Sequence, residues 1–167
     1  MLDLSKLTAI NPVDGRYEDQ TKELRGICSE FGLMRLRVKV ELAWFKKLSD
    51  CECVDEFPPF SLEAEKALDR IETTFSQNDA ENIKSIESKI NHDLKAIEYF
   101  LKSKIENIDE LRPYTEFVHF SCTSEDINNL AYALMLKEAT QKVLIPKMES
   151  IIGLLTKTTR AYAGKAM

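Results

Sequence analysis

Apolar residues recur every three to four positions through most of this chain, and the places where the period fails mark the joints. Phe31, Met34, Val38, Leu42, Phe45 and Leu48 form one such stripe, which predicts a first strong helix over 29–48. Arg35, Arg37, Lys39, Lys46 and Lys47 fall mostly off the stripe and read as the solvated face. Residues 1–20 carry no helical period and read as loop, with a turn at Asp14-Gly15. The stretch 51–60 is a connector that Pro58-Pro59 keeps extended. A second helix is predicted over 61–75, after which Gln77-Asn78-Asp79 offers a new cap. Residues 79–104 are helical in composition, but Asn91 and Asp93 are cap-type residues in their middle. A break is expected there, with a fresh helix over 93–104 carried by Leu94, Ile97 and Leu101.

The last third decides the architecture. Residues 105–115 form a polar connector containing Pro113, the expected boundary between a small helical N-terminal domain, 1–112, and a second region, 113–167. Thr123 and Asp126 match a helix start signal. Beyond them Ile127, Leu130, Leu134, Leu144, Met148, Ile151, Leu155 and Tyr162 follow a heptad-like track. Pro146 interrupts it without ending it, so a bend is expected. Forty helical residues make a rod of roughly 60 Å, whereas a compact domain of this size is only about 40 Å across. Such a rod should overhang its own domain, and its apolar stripe calls for other subunits or further chain. The fold class is therefore all-α, with few Gly and Pro to break helices.

Composition narrows the function. The net charge is −5 and no basic stripe occurs, which argues against nucleic acid as a partner. There is no apolar run long enough to span a membrane. Met1-Leu2-Asp3-Leu4-Ser5-Lys6 lacks the apolar core of a secretory signal. Cys28, Cys51, Cys53 and Cys122 form no CxxC pair, and no His lies at ligand spacing, so no metal site is expected. Read as free thiols, they suit a cytoplasmic protein.

Three segments carry candidate chemistry, each with a plainer alternative. Thr123-Ser124 is either a helix cap alone, or a cap whose hydroxyls and free N–H groups grip a carboxylate or phosphate. Phe117-Val118-His119-Phe120 before it reads as buried, with His119 a hydrogen-bonded core histidine. Asn91-His92-Asp93 is either a capped helix start with a solvent-facing imidazole, or a site in which His92 donates to an anion and Asp93 caps or orients it. Asp14-Gly15-Arg16-Tyr17 is either a surface turn, or a phosphate grip combining a guanidinium with a phenol. No Ser-His-Asp set, Walker loop or dinucleotide fingerprint is present.

Together these segments resemble the adenylosuccinate lyases of the fumarase/aspartase superfamily. The resemblance is carried by Asn11-Pro12-Val13-Asp14-Gly15-Arg16-Tyr17, by the run from Asn91-His92-Asp93 to Phe100, and by the run from Phe120 through Thr123-Ser124-Glu125-Asp126 to Asn129. Their order and spacing fit along essentially the whole chain. The resemblance implies a small helical N-terminal domain followed by the first long helix of a central helical bundle. It implies a C–N lyase of purine nucleotide biosynthesis that eliminates fumarate from adenylosuccinate, giving AMP, and from the succinylocarboxamide intermediate (SAICAR), giving AICAR. A base removes a Cβ proton from the succinyl group, and a general acid protonates the departing nitrogen. Carried over residue by residue, Arg16 and Tyr17 would hold the nucleotide phosphate. Asn91, His92 and Asp93 would line the substrate pocket, and Thr123 and Ser124 would bind the succinyl portion. No cofactor and no metal are implied. The family's general-acid histidine (in Thr-His-Gly-Gln-Pro) and base serine (near Met-Pro-x-Lys-x-Asn-Pro) have no match here, so both are expected beyond Met167. The resemblance also implies a cytoplasmic homotetramer whose sites draw on several subunits. The alternatives are a sister lyase of the argininosuccinate lyase, fumarase or aspartase type, and a non-catalytic helical assembly module.

Overall fold

The computed structural model describes residues 2–51, 54 and 56–166, and every regular element among them is helical. The chain forms two compact units, Glu30–Leu134 and a second built from the two ends of the chain, up to Ser29 and from Met135 onward.

In the first unit α3 (Glu30–Ser49) is the central element, packing against α4 (Leu62–Thr73), α5 (Gln77–Ile90) and α6 (Asp93–Ile105). With neighbours on several sides, α3 buries more than one stripe. Leu36 and Val40 join Met34, Val38, Leu42, Phe45 and Leu48 in the core. The polar residues between them are therefore not a uniformly solvated face. Arg37 and Glu41 are buried, and Lys39 and Lys46 pair across to Glu72 and Asp69 of α4. This corrects the reading of the Lys/Arg run.

The predicted joints fall within a residue or two of the observed ones. Ser61 caps α4, its hydroxyl accepting from the Ala64 N–H at 3.2 Å. Ser76 rather than Gln77 caps α5, in a reciprocal box with Asp79. The break at Asn91 is real, and α5 and α6 pack against each other on either side of it. A cluster of rings joins the connector to the core: Phe57 stacks on Phe117 at 4.4 Å and also meets Phe45, Phe60 and Tyr114. It holds the 3-10 segment Arg112–Phe117 in place just ahead of the Thr123 helix start.

Helical structure runs unbroken from Ser124 through α7 (Ser124–Ala139), a π segment (Thr140–Leu144) and α8 (Ile145–Tyr162). Just before Pro146, where a bend is expected from the sequence, the backbone takes a π turn. Proline lacks an N–H and its ring crowds the carbonyl four residues back. A widened turn, in which the Ile145 N–H donates to the Thr140 carbonyl, admits it.

In the second unit α1 (Glu18–Thr21) and α2 (Arg25–Cys28), joined by the 3-10 turn Lys22–Leu24, lie near Lys147 and the start of the π turn. Leu24, Ile27, Met135, Ala139 and Val143 form its small core. The helical turn at Glu18 begins slightly inside the stretch expected to be loop. No residue of α8 is buried, and Met148, Ile151, Leu154, Leu155 and Tyr162 are each more than half exposed. The reading of four free thiols needs amending: Cys28 and Cys122 are free, Cys51 is disulfide-bonded, and Cys53 lies outside the described residues.

Candidate functional site

The Asn91-His92-Asp93 corner is built by two helix ends meeting. Asn91 terminates α5 in the left-handed conformation (φ 52°), and its N–H donates to the Glu87 carbonyl at 2.8 Å. Asparagine tolerates this conformation better than most residues, which gives it a local reason to be here. His92 then adopts an extended backbone and caps α6, its Nδ1 accepting from the Lys95 N–H at 3.2 Å. With Nδ1 engaged as an acceptor, the neutral ring carries its proton on Nε2. The side chain is half exposed, so that N–H is available to a ligand. Asp93 opens α6 and accepts from Arg37 Nη2 at 2.8 Å. Partial burial alone would raise its carboxyl. The Leu94 N–H and the Arg37 guanidinium outweigh that and hold it below the usual carboxylate range.

These residues rim a cavity of about 660 Å³ that also touches Glu30, Arg37, Lys84, Glu87 and Tyr132. The side chain of Arg37 is only 8% exposed, so its charge needs partners. One is Asp93, and the other is Asn128, whose Oδ1 accepts from Nε at 2.9 Å. Asn128 lies one turn after Ser124. The two sequence motifs are thus joined through a residue that the pattern had placed in solvent.

Thr123 uses its own donors locally. Its N–H and hydroxyl both donate to Asp126 Oδ2, at 2.7 and 2.8 Å, and these bonds hold the Asp126 carboxyl below its ordinary range. The Asp126 side chain thus reaches back to Thr123, and the Asp126 N–H donates to the Thr123 carbonyl at 3.2 Å. The next N–H groups of the first turn remain without intrahelical partners, as at any helix start. The approach to this turn is tight: His119 and Ser121 both take left-handed backbone (φ 63° and 60°). His119 Nδ1 lies 2.6 Å from Oε1 of the fully buried Glu41. Burial pushes the Glu41 carboxyl up, opposed by His119. Val118 is buried as expected, but Phe120 is 46% exposed, because the turn swings its ring out while its carbonyl accepts from Trp44 Nε1 at 2.8 Å.

Arg16 and Tyr17 belong to the other unit and line a hollow of about 680 Å³ with Lys6, Pro12 and Gly15. A Cβ on Gly15 would fall 2.8 Å from the Lys6 carbonyl, so only glycine fits the turn. Among the described residues, no group of three or more His, Cys, Asp or Glu side chains could hold a metal ion.

Comparison with known proteins adds a family. A family model described as "Lyase" matches residues 15–165. The chain belongs to this lyase family. It is 50% identical over 161 residues to the adenylosuccinate lyase of Haemophilus influenzae, covering 96% of this chain and 35% of that protein. It is 52% identical over 151 residues to the adenylosuccinate lyase of Escherichia coli K12, covering 90% and 33% respectively. The Vibrio cholerae adenylosuccinate lyase is 49% identical over 161 residues. The chain spans about a third of the length of these relatives.

Within this lyase-family chain, the residue that sequence reasoning missed is Arg37. Its signal was present but faint: an arginine between Leu36 and Val38, both wholly buried, on a helix with little polar circumference left. Glu41 carried the same signal four residues on.

Proposed function

We propose that this chain supplies the substrate-binding portion of an adenylosuccinate lyase. In this reading the complete protein eliminates fumarate from adenylosuccinate, and from SAICAR, by anti β-elimination. The observation that carries the reading is the His92 corner, where an imidazole N–H free to donate and the Asn91 side chain border a cavity of substrate size, in a chain about half identical to adenylosuccinate lyases over nearly its whole length. His92 orients the anionic substrate through Nε2, and Asn91 and Asp93 shape the pocket beside it. Thr123 and Ser124 present a helix start to the succinyl carboxylate, where partial positive charge and free N–H groups favour an anion. Arg16 and Tyr17 take the nucleotide phosphate, for which a guanidinium and a phenol are apt donors. The intermediate gains negative charge at the succinyl carboxylates, so donors fixed in advance lower the barrier by several kcal/mol. The general acid and the base come from residues outside these 167.

The exposed apolar face of α8 supports assembly into a homotetramer, with 113–167 opening a shared helical bundle and 1–112 as the domain before it. No cofactor enters the scheme. No helix among the described residues is long and apolar enough to cross a membrane, and a cytoplasmic enzyme accords with that.

The phosphate assignment is tested by Arg16→Ala in the complete protein. Losing one charge-assisted contact should lower kcat/KM for adenylosuccinate about 10- to 100-fold. Unchanged kinetics would remove Arg16 from the site and favour a sister lyase whose substrate lacks a phosphate.

A further inference from the structure

We infer that Arg37 is a positioning residue, whose buried guanidinium fixes the His92 helix start and the Asn128–Tyr132 face of α7 about one cavity. The inference rests on the function proposed above. Arg37 projects from the central helix α3 and is itself part of the cavity wall. Its Nη2 donates to Asp93 Oδ2 at 2.8 Å and its Nε to Asn128 Oδ1 at 2.9 Å. Asp93 is the first residue of α6, directly after His92. Asn128 lies in α7, and Tyr132, one turn further on, also faces the cavity. The helix face that Arg37 holds is therefore the face α7 turns toward the pocket. A guanidinium is planar, with its donors at fixed angles, so satisfying two acceptors sets their relative placement. A lysine ammonium at the same point offers a single charge centre on a flexible stem. Because both Arg37 contacts are to the protein, its effect on substrate passes through His92 and the α7 face that carries Tyr132. Misplacing such groups by about 1 Å is enough to cost on the order of a hundredfold in rate.

The test uses Arg37→Lys and Arg37→Met in the complete protein, read three ways. Amide hydrogen exchange should quicken in both the 92–96 and 124–129 segments, while the thermal midpoint moves only a few degrees. With adenylosuccinate, kcat/KM should fall at least tenfold for Arg37→Lys, although the charge is retained. Adding Arg37→Met to an Asp93→Asn protein should cost less than it does in wild type, because one arm is already gone. Unchanged exchange in both segments, with kcat/KM within twofold of wild type for Arg37→Lys, overturns the inference. If the parent protein fails to turn over adenylosuccinate yet both segments loosen, the clamp stands and the functional reading falls. If the parent is active and neither segment loosens, the clamp falls and the functional reading stands.

Discussion

Replacing Asp93 with asparagine isolates the ion pair at the centre of the candidate site. The substitution keeps size and capping ability but strips the charge that faces Arg37. Removing one member of a fully buried pair costs about 3–5 kcal/mol, whereas an exposed pair contributes about 1 kcal/mol at most. Here Arg37 is 8% exposed and Asp93 52%, so solvent screens one partner and the value falls between these limits. Asp93 also sits on the first turn of α6, where a negative charge adds a few tenths of a kcal/mol. The expected loss at pH 7 is about 2 kcal/mol, or roughly 1 M in the midpoint of urea unfolding. The sign of the pH dependence follows from the lowered carboxyl. Its contribution is fully present above the ordinary value of 3.8 and is lost as pH falls through the still lower folded value. Urea titrations of wild type and Asp93→Asn, followed by circular dichroism from pH 7 down to about pH 2, should therefore show the gap narrowing below pH 3.8 and closing as the pH passes below the folded value. A gap that stays constant over the whole range would show that the charge on Asp93 is not what stabilises this corner.

Two other substitutions test how the corner is supported. Asn91→Ala should lose about 1 kcal/mol because its backbone is left-handed, while Asn91→Gly should lose less or nothing; equal losses in thermal melts would show that the side chain, not the backbone, sets the cost. Phe57→Ala should lose about 3–5 kcal/mol in chemical denaturation, since the ring is fully buried and stacked on Phe117; a loss under about 1 kcal/mol would mean the connector does not rely on this cluster.

Most helix boundaries were legible because caps and periods agree locally. Ser61, Ser76 and His92 each close a helix start with their own side chain, and such bonds involve residues three apart. The break at Asn91 could be read for the same reason. What could not be read depends on residues far apart in sequence. Arg37 meets Asn128 ninety-one positions away, and Glu41 meets His119 across seventy-eight. A single stripe on α3 suggested one buried face, but three helices pack around it, so polar residues outside the stripe became internal ties. Pro146 announced a disturbance in the long helix, and only the backbone shows that a π turn absorbs it. The motif residues Asn91, His92 and Asp93 do share one cavity, while Arg16 and Tyr17 line another.

The most direct test of the account is fumarate release from adenylosuccinate, followed by absorbance, with the complete reading frame and with these 167 residues side by side. Turnover is expected from the complete protein and none from the 167-residue chain, if the acid and base lie outside it as proposed. Steady turnover by the 167-residue chain, or none by the complete protein, would contradict the account.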